Sequence, residues 1–201
     1  MKKIAVFCSG SGTNLQAIIN AVKRGSIRAK LALVVSDNPD AYALVRARKA
    51  GIKTFVLTKD GFGAREEYDR VVVKRLGEEG IEIVVLAGFM RLLSPYFISR
   101  YHSRILNIHP ALLPSFKGTH GVRDALKYGV KVTGPTVHFV DEDLDAGPII
   151  LQEVVSVNDG DTEETLLARV HHKEHLIYPK AIKLMVEGKL RITGRRVCIK
   201  K

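Results

Sequence analysis

A chain of 201 residues with 46% hydrophobic residues is long enough for one sizeable core, and we expect a single domain over residues 1–201. The mean hydropathy is +0.03 and no apolar run approaches the roughly 18–20 residues of a membrane helix, which argues against a membrane protein. The two cysteines, Cys8 and Cys198, form no disulfide framework and favour a reducing, cytoplasmic location.

The net charge of +11 raises the question of nucleic acid binding. Residues 189–201 hold six basic residues and no acidic one, so more than half of the excess charge lies at the C-terminus. Elsewhere the sequence has no basic helix with interleaved aromatic residues, and it contains no Trp. We interpret 189–201 as a solvated basic tail and expect no nucleic acid partner. The remaining positive charge would steer anionic small molecules to the protein.

Segments rich in Val, Ile and Leu alternate with segments of helical periodicity. We predict strands at residues 3–8, 30–36, 53–57, 81–86, 104–108, 131–140 and 149–157. Apolar spacing predicts helices between the early strands, around residues 15–22, 43–47 and 68–76. This order predicts an α/β fold with a Rossmann-like, mostly parallel sheet that is flanked by helices on both faces. After residue 130 the pattern becomes strand, turn, strand, which predicts antiparallel strands in the C-terminal half.

A late helix is predicted to begin at Asp161, with Asp161 as its N-cap and Glu164 at the capping-box position. Pro179 is expected to break or kink this helix before a second helical stretch at residues 181–187.

Strand one leads into a loop, Ser-Gly-Ser-Gly-Thr-Asn-Leu over residues 9–15, that opens the first helix. Glycines let a backbone approach an anion closely, and the N–H groups at a helix start favour phosphate. Three interpretations stay open: a monophosphate site, a tight structural turn, and a dinucleotide site. For the dinucleotide fingerprint, Gly10 and Gly12 fit and Asp37 resembles the ribose-binding acid, but Leu15 replaces the third glycine.

Asn107 and His109 are the strongest candidates for catalysis. They lie two residues apart in a strand, so their side chains share one face, and Pro110 and Pro114 restrict the loop that follows. The carboxyl end of such a strand is where α/β sheets bind ligands. An amide donor beside a proton-donating imidazole is suited to a developing oxyanion.

Residues 141–148 are rich in carboxylates and follow a predicted strand. Most such runs are solvated turns, but one carboxylate that reaches a His would raise its pKa and orient it, and Asp145 is our choice. His138 is either a core residue or a support for the site. His171 and His175 share a helix face as zinc pairs do, but no third ligand is evident, so we expect no metal.

Five segments, 9–16, 86–91, 107–118, 136–140 and 145–148, together resemble the folate-dependent phosphoribosylglycinamide formyltransferases of purine synthesis. The resemblance covers nearly the whole chain. The Asn-x-His-Pro element alone is less specific, because other 10-formyltetrahydrofolate enzymes share a similar motif. The resemblance implies a single formyltransferase domain and a cis peptide bond between Leu113 and Pro114.

The resemblance also implies a role for each candidate residue. His109 would be the general acid, Asn107 would polarise the formyl oxygen, and Asp145 would raise the pKa of His109. The phosphoribosylglycinamide would be held by Gly12, Thr13, Asn14, His171, His172, Lys173 and Glu174. The folate would be held by Arg65, Met90, Arg91, Leu92, Leu93 and Asn107, with the segment Asp141, Glu142, Asp143, Leu144 and Asp145. The implied co-substrate is 10-formyltetrahydrofolate, and we expect a cytoplasmic monomer or weak homodimer without a metal.

Two alternatives remain. A 10-formyltetrahydrofolate hydrolase would share the three catalytic residues, although relatives of that kind carry an additional N-terminal module for which this chain has no room. A non-catalytic nucleotide-binding module would explain the glycine loop and Asp37. It would leave the pairing of Asn107 with His109 without a purpose.

Overall fold

The computed structural model describes residues 1–200. The chain divides into two compact units, one spanning Met1–Leu106 and one that begins at Asn107. Strand β5 (Ile105–His109) therefore begins in the first unit and ends in the second. The expectation of a single domain over residues 1–201 stays a prediction.

The first unit is an open sheet of parallel strands with helices between them. Its elements before β5 are β1 (Lys3–Phe7), α1 (Thr13–Lys23), β2 (Lys30–Ser36), α2 (Tyr42–Lys49), β3 (Lys53–Val56), α3 (Arg65–Glu78), β4 (Ile83–Leu86) and α4 (Pro95–Arg100). The strand order is β4-β1-β2-β3, and each neighbouring pair is parallel. Strands β1 and β4 are buried over nearly their whole length, as expected for strands covered on both faces.

The second unit contains the end of β5 and mostly antiparallel additions. Its further elements are α5 (Gly121–Tyr128), β6 (Val132–Thr133), β7 (Thr136–Phe139), β8 (Ile149–Gln152), β9 (Val155–Ser156), α6 (Glu163–Val186), β10 (Leu190–Thr193) and β11 (Arg196–Ile199). The strand order is β5-β7-β8-β11-β10, and β6 pairs with β9 separately. Strand β7 is antiparallel to β8, and β10 is antiparallel to β11. The predicted fold class is confirmed.

Two predicted strands are each split into two. The segment predicted at 131–140 forms β6 and β7, because Pro135 between them has no N–H to donate to a ladder. The segment predicted at 149–157 forms β8 and β9, and Glu153 N between them donates to Pro135 O at 3.2 Å. The strands predicted in the first half of the chain agree with the structure to within two residues at each end.

The late helix also differs from the prediction. Its N-cap is Thr162, whose hydroxyl accepts from Thr165 N at 3.2 Å, because the carboxylate of Asp161 is paired with Arg169 instead. The break predicted at Pro179 is wrong, since α6 is continuous through it. A proline removes one backbone hydrogen bond, but burial of Tyr178, Ala181 and neighbouring side chains stabilises the helix on either side. None of the described helices is both long and apolar enough to cross a membrane.

The C-terminal residues are not a solvated tail. Strands β10 and β11 form a hairpin in which Leu190 pairs with Ile199 and Thr193 with Arg196. Strand β11 also pairs in parallel with β8, at Arg196 and Ile149. The basic side chains of this hairpin are mostly exposed, but its backbone is part of the sheet of the second unit.

Candidate active site

The second unit brings the three predicted catalytic side chains together at the end of β5. Asp145 lies on the loop between β7 and β8, and its Oδ2 is 3.4 Å from His109 Nδ1. Its Oδ1 is 3.5 Å from Asn107 Nδ2. His109 and the carboxylate of Asp145 are both buried, since each side chain is less than a tenth exposed. An amide, an imidazole and a carboxylate thus lie close together at the end of β5.

The loop that carries Asp145 has an unusual backbone. Asp145 has a φ of 48°, in the left-handed region that few L-residues other than Asn and Asp adopt. Gly118 N donates to Asp145 Oδ2 at 2.9 Å, which holds the carboxylate from the side of a second loop. A Cβ on Gly147 would lie 1.9 Å from Phe139 O, so only glycine fits there. The carboxylate is therefore placed by close backbone packing as well as by hydrogen bonds.

Both ring nitrogens of His109 face acceptor oxygens. Nε2 is 2.7 Å from Phe116 O, and Nδ1 faces the carboxylate of Asp145. A doubly protonated ring donates to both, whereas a neutral ring presents a lone pair to one of them. Burial nevertheless lowers the pKa of His109 below its ordinary value, and the charge of Asp145 and the Phe116 carbonyl oppose that shift. Desolvation therefore favours the neutral His109 ring, whereas the two acceptors favour the protonated ring.

Asp145 is held in its ionised form. Burial alone would raise the pKa of this carboxyl, but the His138 imidazole, whose Nε2 lies 3.6 Å from Asp145 Oδ1, and the hydrogen bond from Gly118 N lower it below its ordinary value, with a further contribution from His109. An ionised carboxylate at this point keeps its attraction for a protonated His109 over the neutral pH range.

His138 is the supporting residue that sequence reasoning left undecided. Its Nδ1 donates to Phe139 O at 2.7 Å, so Nε2 is available to accept from Asn107 Nδ2 at 3.2 Å. This contact fixes the orientation of the Asn107 amide. The signal in the sequence was the alternation of β7, which places His138 on one face and Phe139 on the other, but alternation does not say which face meets Asn107.

Residues 141–144, predicted to contact folate, precede Asp145 on the same loop. Glu142, Asp143 and Leu144 are exposed, and Asp141 is half-buried. Of the five residues in this predicted set, Asp145 is the one whose carboxylate contacts both His109 and Asn107.

The residues 171–174, which are predicted to hold phosphoribosylglycinamide, lie in the middle of α6. Glu174 is buried, and its carboxylate is 4.0 Å from His171 Nε2. Burial lowers the pKa of His171. Lys173 Nζ lies 3.4 Å from Glu153 Oε2, and His172 is exposed. Among residues 1–200, no three or more His, Cys, Asp and Glu side chains are grouped so as to hold a metal ion.

In the first unit, the glycine loop connects β1 to α1 in one fixed conformation. Gly12 has a φ of 70°, and a Cβ there would lie 2.7 Å from the Cβ of Ala43. The loop backbone is tied to α2, since Ala43 N donates to Gly10 O at 3.1 Å and Arg46 Nε donates to Ser11 O at 2.9 Å. Thr13 and Asn14 form the first turn of α1, which has no acidic residue. The N-terminus of α1 therefore presents its N–H groups without a competing carboxylate.

The first unit also holds a cationic cavity of about 370 Å³. It is lined by Lys59, Phe62, Gly63, Ala64, Arg65, Arg91 and Leu92, so three of the predicted folate-binding residues lie together. Arg91 lies over the ring of Tyr68, with 4.0 Å between the guanidinium carbon and the ring centroid. Leu93 is buried beside this segment, whereas Met90 is largely exposed.

Ser9 links the glycine loop to the segment that carries Met90. Its hydroxyl donates to Asp37 Oδ1 at 2.6 Å and accepts from Met90 N at 2.9 Å. Ser9 was not among the predicted site residues, because a serine in a glycine-rich loop gives no signal of a distant partner. Asp37, the candidate ribose-binding acid of the dinucleotide interpretation, has one oxygen engaged by this serine.

Comparison with known proteins identifies the family. Residues 2–182 match the family model described as formyl transferase. The chain belongs to the formyl transferase family. All the site residues predicted from the sequence, from Gly12 to Glu174, lie within the matched residues, whereas the β10–β11 hairpin lies beyond them.

Three relatives show how far the similarity extends. The chain is 48% identical over 189 residues to phosphoribosylglycinamide formyltransferase of Escherichia coli, a match that covers 94% of this chain and 89% of that protein. It is 46% identical over 199 residues to the trifunctional purine biosynthetic protein adenosine-3 of Gallus gallus, and that match covers 98% of this chain but 20% of that protein. The crystal structure of glycinamide ribonucleotide transformylase 1 from Symbiobacterium toebii superimposes with a TM-score of 0.98 at 48% identity, over 100% of this chain and 95% of that one.

Proposed function

We propose that this formyl transferase moves the formyl group of 10-formyltetrahydrofolate to the amine of 5'-phosphoribosylglycinamide. The products are formylglycinamide ribonucleotide and tetrahydrofolate, in de novo purine synthesis. The observation that carries the proposal is the contact of Asp145 with both His109 and Asn107, in a chain 48% identical to a phosphoribosylglycinamide formyltransferase.

The proposed reaction is a direct transfer without a covalent enzyme intermediate. The glycinamide amine attacks the formyl carbon on N10 of the folate, and a tetrahedral oxyanion forms. One N–H of the Asn107 amide is bonded to His138, which orients the group. The other N–H, whose contact with Asp145 is long at 3.5 Å, would turn to the formyl oxygen. Removing one such donor typically costs about 10²–10³ in rate.

His109 would supply the second charge-stabilising donor. Its Nε2 now faces Phe116 O at 2.7 Å, so a formyl oxygen would take the place of that carbonyl. Asp145 would oppose the effect of burial on the pKa of His109, and would also position a water. Through that water the proton leaves the attacking amine and reaches N10 as the carbon–nitrogen bond of the folate breaks.

The binding roles follow from charge and backbone geometry in each unit. The glycine loop, with Gly12, Thr13 and Asn14, would hold the substrate phosphate at the N-terminus of α1. Residues 171–174 would contact the ribosyl-glycinamide. The cavity lined by Lys59, Arg65 and Arg91 would take the acidic glutamate end of the folate, because its three cations suit carboxylates. Both partners are thus small anionic molecules, and free Cys8 and Cys198 are in keeping with a cytoplasmic enzyme.

The test is an absorbance assay of tetrahydrofolate formation from 10-formyltetrahydrofolate, with and without phosphoribosylglycinamide. We expect turnover that requires the ribonucleotide and that falls sharply in His109→Ala. The matched control is His102→Ala, which removes an exposed histidine of the first unit. Equal folate deformylation without the ribonucleotide would instead identify a hydrolase. Binding of a nucleotide without turnover of either kind would favour the non-catalytic module.

A further inference from the structure

The basic C-terminal hairpin reaches the loop that carries Asp145. The turn between β10 and β11 has two residues, Gly194 and Arg195, since Thr193 pairs with Arg196. Gly194 has a φ of 58°, as tight hairpin turns require. From this turn, Arg195 Nη2 donates to Ala146 O at 2.8 Å. Ala146 is the residue immediately after Asp145.

We infer that Arg195 is a positioning residue for Asp145, acting through the Ala146 carbonyl. The inference rests on the proposed function, because it assigns Arg195 to the site in which Asp145 acts on His109. It lies outside the family match, which ends at residue 182.

The loop needs such a support because its conformation is strained. Asp145 adopts a φ of 48°, and the backbone on its C-terminal side is packed against Phe139 O at Gly147. Between these two points the Ala146 carbonyl projects toward the hairpin and accepts a charge-assisted hydrogen bond, which is stronger than a neutral one. The bond restrains the peptide between Asp145 and Gly147, and so limits the conformations that Asp145 can reach.

The position of Arg195 is itself fixed by the sheet. Arg196 pairs with Ile149 in the parallel contact of β11 with β8, and Ile149 lies just after the Gly147-Pro148 turn. Arg195 immediately precedes β11, and the loop that contains Ala146 immediately precedes β8. Arg191, on β10 of the same hairpin, is also exposed, and it donates no hydrogen bond to the described residues 141–148. It is therefore a control that removes the same charge from the same hairpin.

The experiment compares Arg195→Ala, Arg195→Lys and Arg191→Ala in the full-length chain. We expect Arg195→Ala to lower kcat roughly tenfold, since sub-ångström displacement of a catalytic group is costly, with little change in the KM for the ribonucleotide. The alkaline limb of the pH profile of kcat/KM should move to lower pH, because a less restrained Asp145 counteracts less of the effect of burial on the pKa of His109. Arg195→Lys, which keeps a charged donor, should recover most of kcat, and Arg191→Ala should match wild type.

Two NMR readouts do not depend on turnover. The Gly118 amide, which donates to Asp145 Oδ2, should exchange faster in Arg195→Ala than in Arg191→Ala, and the His109 ring should titrate at lower pH. If the wild-type protein transfers no formyl group, the proposed function fails, but the two NMR readouts still test whether Arg195 positions Asp145. The inference is overturned if Arg195→Ala and Arg191→Ala agree in Gly118 exchange and in His109 titration. It is also overturned if Arg195→Lys is as impaired as Arg195→Ala.

Discussion

Replacing Gly147 by alanine tests whether backbone packing places the Asp145 carboxylate. The new Cβ would lie 1.9 Å from Phe139 O and 2.8 Å from its carbonyl carbon, and ordinary contacts begin at 3.4 Å. The loop or the Phe139 carbonyl must therefore move by about 1.5 Å to relieve the overlap. The same carbonyl accepts from His138 Nδ1, so movement on either side disturbs the arrangement around Asn107.

The size of the effect follows from that displacement. A misplacement of about 1 Å can cost on the order of 10² in rate, so we expect kcat of Gly147→Ala to fall about a hundredfold. Overpacking of this kind typically lowers the free energy of unfolding by about 1–3 kcal/mol. A domain with a typical stability of about 5–15 kcal/mol stays folded after such a loss. The loss of kcat would therefore report misplacement of the site and not a reduced population of folded enzyme.

The assay combines initial rates of formyl transfer with thermal unfolding of the same preparations. The control is Gly160→Ala, in the second unit, where an added Cβ meets nothing within 4 Å and φ is not positive. Gly160→Ala should keep wild-type kcat and Tm. If Gly147→Ala keeps more than half of wild-type kcat, backbone packing at this glycine does not place Asp145 and the reasoning fails.

Two further predictions concern charge at His109 and shape at the glycine loop. Asp145→Asn removes the charge that opposes the effect of burial on the pKa of His109, so this pKa falls further. Activity that needs protonated His109 is lost as the pH rises through that pKa. The alkaline limb of the pH profile of kcat/KM should therefore move to lower pH. A limb that stays in place or moves to higher pH would contradict this assignment. Gly12 has a φ of 70°, and the Cβ of Gly12→Ala would lie 2.7 Å from the Cβ of Ala43, so this change should displace the proposed phosphate loop. We expect it to raise the KM for the ribonucleotide about tenfold or more, whereas Gly77→Ala in α3 should not. Equal KM values in the two variants would argue against a phosphate site at the glycine loop.

The proximity of the candidate catalytic residues was predictable because it follows from short-range rules. Strand alternation puts Asn107 and His109 on one face, and an acidic turn after β7 offers a carboxylate at the same edge of the sheet. Asp145 was chosen within that turn because it stands just before the Gly147-Pro148 turn, and the family resemblance supports that choice. Geometry then distinguishes it from its neighbours, because Glu142 and Asp143 are exposed while the Asp145 carboxylate is buried between Asn107 and His109.

One feature that the sequence did not predict depends on tertiary partners. The continuity of α6 through Pro179 comes from burial of the side chains around it, which local propensity does not include. The hairpin at residues 190–199 was missed because charge dominated its interpretation. Its two-residue turn beginning with Gly194 and the alternation on either side were the signals of a hairpin.

The electrostatics of His109 explain why so much of the second unit restrains one loop. Burial lowers the pKa of His109, so in the proposed mechanism the ring depends on the carboxylate beside it to retain a proton. That carboxylate comes from a loop, which strand geometry cannot hold in place, and Asp145 has a strained backbone there. Gly118 N fixes the side chain, whereas Gly147 and the Arg195 contact to Ala146 fix the backbone on its C-terminal side. A change in any of these contacts should therefore appear first as a shift in the pH profile, before it appears as a loss of fold.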